Sequence, residues 1–254
     1  MNTVPVRAAL VTGATRGIGL AIANRLASDG YRVAVAARNV DKAVAVAAEC
    51  GPESIPVRLD VRDESSCIEA VAACEREWGR LDVLVNNAGV AESAKFADTT
   101  TQLWRQAMAV NVDGPFWLMR AALPGMASRG TGTVVTIASV AAKVGLPYVA
   151  AYSAAKHAVL GLTRSVAAEF ARSGVTVNCI CPWYVDTDMV TETVANIVAR
   201  TGRTADEALA PLLTPQGRLV TADEVAALCS FLASPAATSI TGQAIHVDGG
   251  QAQA

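Results

Sequence analysis

The chain has 254 residues, of which 52% are hydrophobic and 17% are charged, and its formal net charge is −2. This composition excludes a disordered chain and supplies enough apolar side chains for a buried parallel sheet in one α/β domain. The small net charge and the absence of a basic run provide no attraction for nucleic acid or an anionic membrane, so neither partner is expected.

Seven short apolar segments alternate with longer helical patterns along the chain. Strands of a parallel sheet are covered on both faces, so they read as nearly continuous Val, Ile, Leu and Ala, as these segments do. Their alternation with helices predicts a single doubly wound α/β domain over residues 1–254, with a seven-stranded parallel sheet and helices on both faces. The predicted strands are Ala8–Val11, Arg32–Ala37, Ile55–Leu59, Val83–Val85, Thr133–Ile137, Thr176–Ile180 and Ala244–Val247.

Alanine-rich helical windows lie between these strands. Thr221 followed by Glu224 matches a capping box at the start of the last window. The irregular stretch 184–219 carries apolar helical patches around Gly202, and we expect it to leave the sheet and form a lid over a substrate. The clearest helical windows are Gly19–Ser28, Asp41–Ala48, Cys67–Trp78, Tyr152–Ala171 and Ala222–Leu232.

The cysteines and histidines argue against a metal centre. The cysteines lack paired C-x-x-C spacing, so buried free thiols are expected instead of a zinc site or disulfides. The two histidines, His157 and His246, leave few ligands for a catalytic metal and suggest no Ser-His-acid hydrolase. The six cysteines are Cys50, Cys67, Cys74, Cys179, Cys181 and Cys229.

The expected compartment follows from the absence of a targeting signal. Met1–Arg7 is too short and polar for a signal peptide. No stretch approaches the ~18 consecutive apolar residues of a membrane span. A cytoplasmic location is therefore expected.

A glycine-rich turn follows the first predicted strand directly. It reads Thr12-Gly13-Ala14-Thr15-Arg16-Gly17-Ile18-Gly19 and leads into the first predicted helix. Three glycines at this position allow a tight turn, a close approach of the backbone to a pyrophosphate and close helix packing. The N–H groups at the start of the helix would face the phosphates. The turn therefore predicts a dinucleotide site.

The spacing of this turn is G-x-x-x-G-x-G, and further motifs follow it in a fixed order. They are Asn86-Asn87-Ala88-Gly89 after the fourth strand, Asn111, Ser139, Tyr152-x-x-x-Lys156 and Pro182 to Thr187. Over nearly the whole chain the sequence resembles the short-chain dehydrogenase/reductase family. The resemblance implies a Rossmann-type fold, a nicotinamide cofactor and hydride transfer between a ketone and a secondary alcohol.

Tyr152 and Lys156 are one helical turn apart, so they share a helix face. A free phenol has a pKa of about 10, so its use as a base at neutral pH requires nearby positive charge, which Lys156 and an oxidised nicotinamide would supply. The resemblance implies that Tyr152 exchanges the proton, that Lys156 also binds the nicotinamide ribose, that Ser139 hydrogen-bonds the carbonyl oxygen and that Asn111 holds a water linking Lys156 to solvent.

The end of the second strand bears on the choice of cofactor. NAD enzymes have an acidic side chain there, whereas this chain has Ala37 followed by Arg38. Together with Arg16, Arg38 could clamp a 2′-phosphate, which favours NADP(H); if Arg38 is only a solvated strand-end residue, NAD(H) stays open. The expected cofactor-binding residues are Gly13, Thr15, Arg16, Gly17, Ile18, Gly19, Arg38, Asp60, Val61, Asn87, Ala88, Gly89, Tyr152, Lys156, Pro182, Val185 and Thr187.

The substrate is expected to be a carbonyl with apolar flanks. Trp183 stands where the family commonly has glycine; it either narrows the pocket or packs outward. Resemblance to 3-oxoacyl reductases, polyketide ketoreductases and 3-hydroxyacyl-CoA dehydrogenases favours a 3-oxoacyl thioester. Arg129 and Arg172 lie near positions where carrier-protein reductases hold basic residues, although scattered surface arginines explain them as well. The expected pocket residues are Val144, Tyr148, Trp183, Tyr184 and Met189.

Alternatives remain at three levels. The runner-up substrate is an aryl or small aliphatic secondary alcohol handled with NAD(H). A non-catalytic cofactor-binding regulator would be expected to lack Ser139, Tyr152 or Lys156, and all three are present. Epimerases resemble longer chains, and enoyl reductases usually space Tyr and Lys further apart. The resemblance also implies a homotetramer with 222 symmetry, built on the catalytic helix and the last strand.

Overall fold

The computed structural model describes residues 6–252. Within that range the chain forms a seven-stranded parallel sheet in the order β3-β2-β1-β4-β5-β6-β7. The predicted doubly wound architecture is therefore confirmed. The strands are β1 (Ala8–Thr12), β2 (Arg32–Ala37), β3 (Ile55–Arg58), β4 (Val83–Asn86), β5 (Gly132–Ile137), β6 (Val175–Pro182) and β7 (Ala244–Val247). The expectation for Met1–Arg7 falls mainly on residues 1–5, which lie outside the described residues.

Nine α-helices lie in the described range. They are α1 (Gly17–Ser28), α2 (Val40–Cys50), α3 (Glu64–Trp78), α4 (Thr101–Met108), α5 (Gly114–Arg129), α6 (Ala150–Glu169), α7 (Asp188–Thr201), α8 (Ala205–Leu209) and α9 (Ala222–Ala233). The predicted window Tyr152–Ala171 was placed two residues too late at both ends, because the chain leaves the helix at Phe170 for a turn that ends at Gly174. The capping box of Thr221 and Glu224 is present.

The sheet separates two layers of helices. Alternate residues of each strand face opposite sides, as the pleat requires. Val11 packs in the cluster that contains Ile22 of α1 and Leu232 of α9, whereas Leu10 packs in the cluster that contains Val71 of α3 and Leu118 of α5. Both faces of the sheet are thus buried.

The strand order reverses between β1 and β4, which both pair with their neighbours in parallel. In a doubly wound sheet, ligands bind beyond the carboxyl ends of the strands at this reversal. The carboxyl ends of β1, β4, β5 and β6 all lead into the motifs singled out in the sequence. The fold therefore gathers those motifs at one edge.

The stretch 184–219 leaves the sheet after β6 and contains α7 and α8. An isolated bridge between Val185 and Val220 pins its two ends together, supported by a hydrogen bond of 2.8 Å from the Asp186 N–H to the Val220 carbonyl. In residues 6–252 no helix is both long and apolar enough to cross a membrane. All six cysteines are free thiols; five are buried and Cys50 is half-buried.

Candidate active site

The glycine turn adopts a backbone that only glycine tolerates well. Gly13 and Gly17 have φ angles of +64° and +53°. The Gly13 N–H donates to the Ala36 carbonyl at 2.8 Å, which ties the turn to the end of β2. A Cβ on Gly19 would lie 2.9 Å from the carbonyl carbon of Gly13, and closer still to its oxygen. The glycines therefore fix the close approach of α1 to the turn.

No side chain of residues 6–252 caps the N-terminus of α1. Arg16 is the N-cap, its side chain makes no capping hydrogen bond, and the first turn contains no acidic residue. By contrast, Asn39 caps α2 and Asp63 caps α3 with side-chain oxygens. Uncapped N–H groups at a helix start attract an anion, so this turn fits the pyrophosphate of a dinucleotide.

Asn87 supports the same turn from the end of β4. Its Nδ2 donates to the Thr12 carbonyl at 2.8 Å, and the Thr12 hydroxyl accepts from the N–H groups of Asn87 and Ala88 at 2.9 Å each. Next to them, a Cβ on Gly89 would lie 3.1 Å from Asn111 Oδ1 and 3.8 Å from Lys156 Nζ. The segment from Asn87 to Gly89 therefore connects the glycine turn with Asn111 and Lys156.

Two exposed arginines lie in the glycine turn and directly after β2. Arg16 and Arg38 are exposed, and neither guanidinium hydrogen-bonds another residue of the described range. Asp60 is held by Arg62 through hydrogen bonds of 2.9 and 2.5 Å, which lower the Asp60 pKa to about 2, with a smaller contribution from Arg38. Val61 is buried beside Gly114. Two arginines are thus free to meet an anionic group.

The three expected catalytic residues, Ser139, Tyr152 and Lys156, lie where the end of β5 meets α6. Ser139 follows β5, its Oγ accepts from the Ala141 N–H at 3.1 Å, and its hydroxyl lies near enough to Tyr152 to lower the pKa of that phenol. Lys156 is 5% exposed, donates from Nζ to the Ile137 carbonyl at 2.8 Å, and lies with Nζ 5.5 Å from the centre of the Tyr152 ring. The spacing of four residues on α6 therefore places the ammonium and the phenol side by side, as the sequence predicted.

Burial dominates the acid–base properties of this pair. It raises the pKa of Tyr152 to about 12, although the hydrogen bond with Ser139 opposes the rise, and it lowers the pKa of Lys156 to about 8. The sequence argument expected positive charge to favour the phenolate. The chain alone does the reverse, because desolvation of the phenolate is the largest contribution to the pKa of Tyr152.

Asn111 lies in a π-helical turn, Ala109–Asp113, that joins α4 to α5. It is 2% exposed, and its Nδ2 donates to the carbonyls of Ala107 at 2.9 Å and Val90 at 3.0 Å. Single π-helical turns within helices are frequent at functional sites. The turn places the Asn111 oxygen next to Gly89, where it accepts from the Val90 N–H at 3.4 Å, and the sequence pattern alone did not reveal this position.

Known proteins are similar to this chain over nearly its whole length. The family model described as enoyl-(acyl carrier protein) reductase matches residues 13–252. The chain belongs to the short-chain dehydrogenase/reductase family. It is an oxidoreductase of the type that acts on CH–OH groups.

Named relatives match almost their whole length. A Streptomyces virginiae protein, named as a ketoacyl reductase of the monensin polyketide synthase, is 41% identical over 251 residues, 96% of each chain. An acetoacetyl-CoA reductase of Rhizobium meliloti is 40% identical over 247 residues, 96% of this chain and 98% of the relative. The chain is also similar to a crystal structure of actinorhodin polyketide ketoreductase with NADPH, in which one phenylalanine is replaced by tryptophan. The sequence identity is 38%, the TM-score is 0.92, and the match covers 97% of both chains.

In this short-chain dehydrogenase/reductase the expected pocket residues differ in exposure. Tyr148 and Met189 are 64% and 44% exposed, whereas Val144, Trp183 and Tyr184 are half-buried. Tyr148 has a φ of +67°, and its carbonyl accepts from the Ala94 N–H at 2.8 Å. Strain of this kind in a non-glycine residue is common at functional sites.

Two further features were missed or left open by the sequence. Beside Tyr152 a small hollow is lined by Val90, Glu92, Leu103, Gln106 and Ala107, which come from the loop after β4 and from α4. Their only signal was the amphipathic pattern of α4, which was not among the predicted windows. After β6, Thr187 lies against Gly17 of the glycine turn, where a Cβ on Gly17 would be 3.2 Å from Thr187 Cγ2.

The two arginines considered for carrier recognition have different surroundings. The guanidinium of Arg129 turns into the fold and donates to the Leu81 carbonyl. Arg172 is exposed in the turn after α6. Arg129 is therefore a structural residue, because its hydrogen bond closes the end of α5 onto the start of β4.

Proposed function

We propose that this oxidoreductase uses NADPH to reduce a 3-oxoacyl thioester to the secondary alcohol. The observation that carries the proposal is the meeting of Ser139, Tyr152 and Lys156 beside an uncapped helix N-terminus and a glycine turn. Relatives named as ketoacyl and acetoacetyl-CoA reductases support the substrate class.

In this proposal the cofactor is held by residues from the glycine turn and from the ends of β2, β3, β4 and β6. The turn from Gly13 to Gly19 holds the pyrophosphate, and Asp60 and Val61 border the adenine. Arg16 and Arg38 bind the 2′-phosphate with charge-assisted hydrogen bonds. Asn87, Ala88 and Gly89 follow the ribose, and Pro182, Val185 and Thr187 contact the nicotinamide. The neighbouring structure that contains NADPH supports the choice of cofactor.

The reduction needs one hydride and one proton. NADPH, when bound, would supply the hydride for the carbonyl carbon as the C=O double bond becomes a single bond. Ser139 donates a hydrogen bond to the carbonyl oxygen as negative charge develops there, and Tyr152 transfers its phenolic proton to that oxygen. A new C–H bond and a new O–H bond result. Lys156 binds the ribose and, through a water held by Asn111, returns a proton to Tyr152.

The alternatives are weaker on this structure. A non-catalytic regulator would not need a buried lysine beside a half-buried phenol, because burying the lysine costs stability. Enoyl reduction, named by the matching family model, fits poorly because Tyr152 and Lys156 are only four residues apart. An NAD(H)-dependent dehydrogenase of aryl or small aliphatic alcohols remains the runner-up, because an Arg38 that is only a solvated strand-end residue would leave NAD(H) open.

Initial-rate measurements with NADPH and NADH, each on acetoacetyl-CoA, crotonyl-CoA and acetophenone, test the proposal. We expect NADPH with acetoacetyl-CoA to give the highest kcat/KM. Preference for NADH and acetophenone would favour the runner-up, and turnover of crotonyl-CoA alone would favour enoyl reduction. In Tyr152→Phe, cofactor binding should persist while turnover falls by at least about 100-fold. Retained turnover would contradict the assigned acid.

A further inference from the structure

Trp183 lies between the end of β6 and the stretch 184–219 that leaves the sheet. Its indole Nε1 donates to the Leu212 carbonyl at 2.8 Å, and its ring packs against the core cluster that includes Val225 of α9. The ring of Tyr184 meets it edge-on, with centroids 5.0 Å apart and an interplanar angle of 86°. Trp183 thus packs into the fold and not outward, and its ring contacts that of the next residue.

Tyr184 presents a phenol with no partner inside the fold. Its ring is half-buried, and its hydroxyl makes no hydrogen bond to any residue between 6 and 252. Tyr184 follows the carboxyl end of β6, which pairs with β5, the strand that leads to Ser139. It is therefore at the same edge of the sheet as the catalytic residues, and a charge on Tyr184 would raise the pKa of Tyr152. Burial also raises the pKa of Tyr184, so this phenol keeps its proton and can donate it in a hydrogen bond.

We infer that Tyr184 is a specificity-determining residue that donates a hydrogen bond to the second carbonyl oxygen of a 3-oxoacyl substrate, and that Trp183 is its positioning residue. This inference rests on the proposed function. The reacting oxygen lies between Ser139 and Tyr152, and a 1,3-dicarbonyl carries a second acceptor two carbons away. Tyr184 lies at the same sheet edge, and its hydroxyl is not bonded to any residue between 6 and 252, so it is available to donate to that second acceptor. A simple ketone lacks that acceptor.

The test compares two substrates of equal chain length, methyl acetoacetate and 2-hexanone, in the wild type and in Tyr184→Phe. Loss of one hydrogen bond to the substrate should lower kcat/KM for methyl acetoacetate by about tenfold. The value for 2-hexanone should change by less than about twofold, because no hydrogen bond is lost. An equal loss on both substrates, or no loss on either, would overturn the inference.

Two further variants separate this role from a general effect. Tyr31→Phe removes a phenol that bonds the Ala233 carbonyl far from the site, and it should leave the ratio of the two kcat/KM values unchanged. Trp183→Phe removes the bond to Leu212 but keeps an aromatic ring. It should raise KM for methyl acetoacetate several-fold while kcat changes little. A fall in kcat on both substrates would instead indicate a structural role for Trp183.

Binding measurements keep the inference testable if the proposed function fails. In a Tyr152→Phe background loaded with cofactor, quenching of tryptophan fluorescence reports the affinity for both ligands without turnover. Adding Tyr184→Phe should weaken binding of methyl acetoacetate alone. Absence of acetoacetyl-CoA reduction by the wild type would refute the proposed function, whereas unchanged binding in Tyr184→Phe would refute the role of Tyr184.

Discussion

Replacing Gly19 with alanine tests the close packing of α1 against the glycine turn. The added methyl group would lie 2.9 Å from the carbonyl carbon of Gly13 and closer to its oxygen and to Nδ2 of Asn87. Two of these atoms belong to the backbone, so they cannot swing aside. Overpacking of this kind costs about 1–3 kcal/mol. In a protein of this size, that cost lowers Tm by about 2–12 °C.

The matched control is Gly161→Ala on α6. Gly161 also lies inside a helix, but its added Cβ would meet no atom within 4 Å. Alanine is favoured over glycine in a helix by roughly 0.5–1 kcal/mol, so this variant should be slightly more stable than the wild type. The two substitutions are chemically identical, and the expected signs of their effects on stability are opposite.

Thermal unfolding and NADPH titration of both variants give the measurement. Gly19→Ala should unfold earlier without cofactor and should bind NADPH more weakly, because relief of the clash moves the N–H groups of α1 away from the pyrophosphate. Wild-type stability together with wild-type affinity in Gly19→Ala would show that α1 does not approach the turn as closely as described.

Three other predictions concern the cofactor, the core and the assembly. Arg38→Ala should raise KM for NADPH about tenfold and leave KM for NADH nearly unchanged, in steady-state kinetics; equal effects on both would argue that Arg38 does not meet the 2′-phosphate. Asp82 is 1% exposed and accepts from the Ala8 N–H at 2.8 Å while it holds Arg80, so Asp82→Ala should lose about 1–3 kcal/mol in urea unfolding. Light scattering should give about four times the 26.2 kDa subunit mass, and a value near one subunit would exclude the homotetramer.

The sequence predicted the sheet well because its signal is local. Each buried parallel strand is a continuous apolar run, and the residue that follows each run lies at the carboxyl edge by geometry alone. Gly13, Asn87 and Ser139 therefore reach one crevice without further information. The four-residue spacing of Tyr152 and Lys156 on α6 is equally local.

Other features depended on contacts between distant segments. The π-helical turn at Asn111 is held by the Val90 carbonyl, 21 residues away, and no periodicity encodes it. The orientation of Trp183 depends on the Leu212 carbonyl, 29 residues away. Arg129 likewise turns toward Leu81, 48 residues away, so its charge was misread as a surface feature.

The pKa values of Tyr152 and Lys156 lead to a final prediction about pH. A phenol whose pKa is about 12 is protonated at neutral pH, which is the form needed to give a proton during reduction. Oxidation of the alcohol needs the phenolate, whose population rises with pH until the pKa is passed. Measured as kcat/KM, oxidation should therefore rise steadily from pH 7 to 10, whereas reduction should not rise. A flat profile for oxidation would mean either that Tyr152 is not the base or that the bound cofactor lowers its pKa below 7.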